Sequence, residues 1–87
     1  MSAADSVSDR VLDILGDVTG SADVRDFLDI ELYRLGIVDS LATVSLMLAF
    51  EEGFGIEISP AEFDRDNWAT PRLMVADVAR RLAAAGK

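Results

Sequence analysis

Apolar residues return every three or four positions through most of this chain, and caps, prolines and glycines cut that pattern into short pieces. A period near 3.6 belongs to a helix with one buried face, so pieces of this kind reach a stable core by packing helix against helix. Val7, Val11, Ile14, Leu15 and Val18 make the first series, with Ser6 as the expected N-cap. Asp5, Asp9, Asp13 and Asp17 fall at four-residue intervals on the opposite side, which reads as a solvated face. From Thr19 to Asp39 the period loosens, yet Val24, Phe27, Leu28, Ile30, Leu32, Leu35 and Ile37 are too many apolar groups for a free linker. The expectation is a long loop packed on the core, with a helical turn near Asp26 to Leu32 and a sharp turn at Gly36.

A second helix is expected from about Ser40 to Phe54, capped by Asp39 and ended by Gly53 or Gly55. Ser59-Pro60-Ala61-Glu62 is a capping box with Pro at the first helical position and predicts a short third helix. Asn67-Trp68-Ala69-Thr70-Pro71 announces the last helix, which runs to about Ala85 with Met74, Val75, Val78 and Leu82 inward and Gly86 closing it. Ile56-Glu57-Ile58 alternates like a strand but has no partner strand. The fold predicted is all-α: a bundle of three main helices plus one short helix, with a long loop between helices one and two, residues 1–87 forming a single domain.

Residue usage narrows the chemistry. No His and no Cys occur, so there is no imidazole base, thiol nucleophile or disulfide, which argues against a metalloenzyme or triad hydrolase. Asp64-x-Asp66 does not open a calcium loop, because Trp68 and Ala69 stand where an oxygen ligand and a glycine are needed. The net charge of −8 has the wrong sign for nucleic acid and favours basic partners. The longest apolar run, Leu46 to Phe50, falls far short of the roughly 20 residues of a membrane span. With no signal sequence at its start, the chain is expected to be cytoplasmic and to act as a monomer.

The second helix carries two apolar stripes. Thr43, Met47, Phe50 and Phe54, joined by Leu46, suffice to face a core. Leu41, Val44 and Leu48 form another, leading into Glu51 and Glu52. Either the long loop covers this second row, or it stays exposed as a docking surface rimmed by acids. At the head of the helix Asp39 and Ser40 read first as a cap; a phosphate on the Ser40 hydroxyl would also lie where free N–H groups and the helix dipole favour an anion. Phe63 and Trp68 read as core plugs.

The run Leu35-Gly36-Ile37-Val38-Asp39-Ser40-Leu41-Ala42-Thr43-Val44-Ser45-Leu46 resembles the modification site of the acyl and peptidyl carrier proteins, and the likeness covers nearly the whole chain. The resemblance implies that Ser40 receives phosphopantetheine from coenzyme A. It also implies that Asp39 helps position the phosphopantetheinyl transferase and its magnesium, and that Leu41, Val44, Leu48, Glu51 and Glu52 dock partner enzymes. A carrier needs no catalytic side chain, since the prosthetic group brings the reactive thiol. The implied partners are that transferase, an adenylating acyl or aminoacyl ligase, and an acyltransferase, condensing or tailoring enzyme.

Val44-Ser45-Leu46 stands where fatty-acid carriers usually show Val-Glu-Leu, and Ala42 replaces an acid, which points away from bulk fatty-acid synthesis. One Lys against seven Arg hints at a high-GC genome and leans the reading toward polyketide or nonribosomal peptide (antibiotic) biosynthesis. Glu62-Phe63-Asp64-Arg65-Asp66-Asn67-Trp68-Ala69-Thr70-Pro71 is closer to the pattern of D-alanyl carrier proteins, which serve teichoic acids, and this is the alternative. An unmodified acidic helical adaptor is the rival of another class. By segment, residues 1–39 are net −6, residues 40–70 net −5 and residues 71–87 net +3, which predicts acid concentrated away from the last helix.

Overall fold

Each main helix of the computed structural model begins and ends where local chemistry satisfies its free backbone groups. The structure describes residues 3–61 and 63–86, with side chains from residue 6 onward. Helix α1 (Ala3–Thr19) is followed by the short α2 (Asp23–Asp26), α3 (Ser40–Phe54), a 3-10 segment (Arg65–Trp68) and α4 (Pro71–Ala84). Among the described residues there is no strand, so the all-α reading holds.

Helix α3 keeps its expected limits. The Asp39 carboxylate accepts the Ala42 N–H at 2.8 Å, and Gly55 closes the other end at φ 67°, a left-handed conformation that glycine adopts without cost. Pro71 opens α4 behind Thr70, whose hydroxyl accepts the Leu73 N–H. Three expectations are corrected. Helix α1 starts at Ala3, so Ser6 lies inside it rather than capping it; the preceding alanines and Asp5 suit a first turn. The helical turn in the long loop is Asp23–Asp26, ending where it was expected to begin; there it buries Val24 and lets Arg25 pair with Asp9 and Asp13 of α1. No helix starts at Pro60: residues 60 and 61 are a turn, Glu62 of the capping box lies outside the described residues, and the short element begins at Arg65. There Asp64 is the cap, its carboxylate accepting the Asp66 N–H at 2.9 Å, while Ile56 and Ile58 run extended and buried toward it.

Helix α1 packs against both α3 and α4. Val11 and Leu15 meet Leu46, Phe50, Met74 and Val78 in the core, and Val24, Leu32 and Val38 of the long loop join them. Backbone bonds fix that loop: the Leu32 N–H donates to the Ala69 carbonyl, and the Arg72 N–H, an otherwise orphaned donor in the first turn of α4, donates to Leu28. Trp68 is fully buried between α3 and α4, edge-on to Phe50 with ring centroids 5.4 Å apart. Its indole N–H donates to the buried carboxylate of Asp77 at 2.7 Å, which also accepts from Arg80 and Arg81.

The charge map differs from the tally by segment. Arg72 pairs with Asp29 of the long loop, and Arg80 and Arg81 share the single carboxylate of Asp77, so the three arginines of α4 meet two carboxylates. Asp9 and Asp13 of the acidic stripe are exposed but share Arg25 of α2. Opposite charges far apart in sequence meet once the loop folds back.

Candidate functional site

Asp39 and Thr43 lock the first turn of α3. Besides capping Ala42, Asp39 accepts the Thr43 N–H and hydroxyl at its backbone carbonyl, at 2.9 and 2.8 Å. The Tyr33 hydroxyl lies 2.7 Å from the Thr43 hydroxyl, which ties the long loop to this turn. Burial pushes the Tyr33 phenol above its ordinary pKa, so it stays protonated around neutrality. Gly36, at φ 74°, supplies the reversal that delivers the chain to the cap.

Ser40, the first residue of α3, is exposed. It opens onto a cleft of about 170 Å³ shared with Tyr33, Thr43, Phe63 and Arg65. The Arg65 guanidinium lies over the Tyr33 ring, 4.2 Å from its centroid. A neighbouring apolar cleft of about 380 Å³ continues from Thr43 and Phe63 along α3 past Met47 and Ile58. A wider, open hollow of about 720 Å³ sits apart from these, lined by Phe27, Leu28, Ile30 and Arg72.

The two stripes of α3 separate cleanly. Thr43, Leu46, Met47, Phe50 and Phe54 are buried. Leu41, Val44 and Leu48 are exposed by 77%, 52% and 60%, so the long loop does not cover this row. Glu52 is exposed, whereas Glu51 is half-buried and its carboxylate accepts the Ile58 N–H at 2.9 Å, bracing the chain that leaves α3.

Among the described residues the Ser40 hydroxyl has no hydrogen bond to a basic side chain. One oxygen of its neighbour Asp39 is occupied by the cap, and among the described residues no group of three or more Asp or Glu is placed to hold a metal ion. A serine so placed accepts a group handed to it and does not attack unaided. Tyr33 and Arg65 went unassigned by sequence reasoning, since one precedes Ser40 in an irregular loop and the other follows it far down the chain. Asp77 had a legible signal, with Arg80 and Arg81 three and four residues on.

Residues 9–82 match the family model described as a phosphopantetheine attachment site. The chain belongs to the phosphopantetheine-attachment family. It is a carrier, and its own side chains do not catalyse. The chain is 45% identical to the D-alanyl carrier protein of Lacticaseibacillus casei (strain BL23) over 76 residues, 87% of this chain and 94% of the relative. It is 46% identical to the D-alanyl carrier protein of Bacillus cereus (strain B4264) over 67 residues, 77% of this chain and 85% of the relative. A third D-alanyl carrier protein, from Latilactobacillus sakei subsp. sakei (strain 23K), is 41% identical over 70 residues, 80% and 90% of the two chains. The prosthetic group of the carrier family is phosphopantetheine, and an exposed hydroxyl on an open cleft with a guanidinium in its wall fits a phosphodiester. Carrier proteins of this family work with a phosphopantetheinyl transferase and ligases, and no helix among the described residues is long and apolar enough to cross a membrane.

Proposed function

We propose that this carrier holds D-alanine as a thioester on phosphopantetheine attached to Ser40, and delivers it from an adenylating ligase to an acceptor of the teichoic acid type. The observation that carries the reading is the identity of 41–46% with D-alanyl carrier proteins over most of the chain. The run from Glu62 to Pro71 matches the Glu-Phe-Asp-Arg-x-x-Trp-x-Thr-Pro pattern that the resemblance to D-alanyl carrier proteins supplies. A lean toward antibiotic biosynthesis draws on the excess of arginine over lysine, which reflects genome composition and does not discriminate between carrier subfamilies. The unmodified adaptor loses its ground once the chain falls in a family defined by attachment.

In this reading the Ser40 Oγ forms the bond to the phosphorus that bears pantetheine, the phosphoanhydride bond of coenzyme A breaks, adenosine 3′,5′-bisphosphate leaves, and the serine proton passes to a base of the transferase. The attached group supplies a thiol of ordinary pKa, about 8.5, that carries the aminoacyl cargo. Asp39 keeps α3 from fraying at the acceptor, and its second carboxylate oxygen, not used by the cap, would help position the transferase and its magnesium. Leu41, Val44 and Leu48 give successive partners one apolar strip, Glu52 adds a charge, and Glu51 contributes by holding the edge of that strip. Loading takes place in the cytoplasm, where coenzyme A and ATP are found.

Intact mass after incubation with coenzyme A, magnesium and a broad-specificity transferase tests the first step. The wild type gains one phosphopantetheine and Ser40→Ala gains none. A D-alanine ligase with ATP then adds one alanyl group to the loaded protein. Loading of an aryl acid or another amino acid in place of D-alanine, by their own ligases, overturns the cargo and leaves the carrier role standing.

A further inference from the structure

Arg65 is set apart among the arginines. Arg25, Arg34, Arg72, Arg80 and Arg81 each pair with a carboxylate. Arg10 donates to the Gly53 carbonyl at the end of α3 and lies over the Phe54 ring. Among the described residues no carboxylate lies within ion-pair distance of Arg65, whose guanidinium lies over the face of Tyr33. It is also the one cation in residues 40–70, against six acids, and it lines the same cleft as Ser40.

A phosphodiester on Ser40 would bring another negative charge into acidic surroundings. The planar fork of a guanidinium matches its two non-bridging oxygens, and stacking on Tyr33 fixes the fork in advance so that little freedom is lost on binding. Tyr33 is itself anchored through Thr43 to the first turn of α3, so the ring, the guanidinium and Ser40 belong to one rigid corner. We propose that Arg65, stacked on Tyr33, is a positioning residue that clasps the phosphodiester on Ser40 and fixes the direction in which the prosthetic arm leaves the protein. The proposal rests on the Ser40 reading.

The test uses the loaded full chain, with mass confirming one phosphopantetheine on wild type, Arg65→Gln and Arg65→Lys, and far-UV circular dichroism with thermal unfolding confirming the fold. Two signals are read without any partner enzyme: the 31P transverse relaxation of the phosphodiester and the Arg65 Nε–H resonance before and after loading. The Nε–H resonance is expected to move on loading and to return toward its unloaded position as salt is raised. In Arg65→Gln the 31P relaxation rate is expected to fall about twofold as the arm gains nanosecond freedom. Arg65→Lys is expected to recover only part of it, because an ammonium keeps the charge but not the stacked fork. Equal 31P relaxation in wild type and Arg65→Gln, with an unmoved Nε–H, overturns the clasp while the mass gain keeps Ser40 as the attachment site. No mass gain on the wild type removes both readings together.

Discussion

At the scale of single residues, Asp77 is the most constrained group in the fold. It is 1% exposed and accepts from the Trp68 indole and from two arginines. Arg80 is well exposed and Arg81 partly so, which lets both cations find water if the carboxylate is lost. The indole N–H has no such escape. Asp77→Ala is therefore expected to cost about 2–3 kcal/mol, mostly from the stranded indole donor, and Asp77→Asn about 1 kcal/mol, since its amide oxygen still accepts from the ring. Urea unfolding followed by tryptophan fluorescence measures both. A ranking with Asn as costly as Ala would shift the weight from the hydrogen bond to the charge.

At the scale of elements, α3 divides its work between two faces. Phe50 is fully buried and Leu48, two residues earlier, is 60% exposed. Phe50→Ala is expected to cost about 3–5 kcal/mol, whereas Leu48→Ala should change stability by no more than about 0.5 kcal/mol and still slow loading by the ligase. Thermal unfolding and single-turnover loading separate the two effects. This division was legible because a helix of strict period, with Asp39 before it and Gly55 after it, carries its caps and faces in adjacent letters. The start of α1 and the short element were not. Ser6 and Ser59 offer real cap chemistry, but each competes with another start nearby, and burial of Ile56 and Ile58 together with the Glu51 brace decides where the chain is free to turn helical. Tyr33 and Arg65 were beyond reach for a different reason: they approach Ser40 only through the folded loop, and no spacing records that.

At the scale of the whole molecule, a net charge of −8 combined with locally paired arginines on α4 leaves an acidic surface for basic partners to find. Loading by a ligase is expected to lose up to about tenfold in kcat/KM between low and high ionic strength, with kcat nearly constant, because salt screens encounter rather than chemistry. Initial rates across a salt series check this, and a flat series would mean that the apolar row of α3 alone guides docking. The single tryptophan has its own place in this whole-molecule picture. Trp68 touches Phe50 in the core and Phe63, 4.7 Å away between ring centroids, in the wall of the Ser40 cleft. The protein thus contains an unlabelled optical gauge one ring away from the Ser40 cleft. Its emission follows unfolding through one neighbour and events in the cleft through the other.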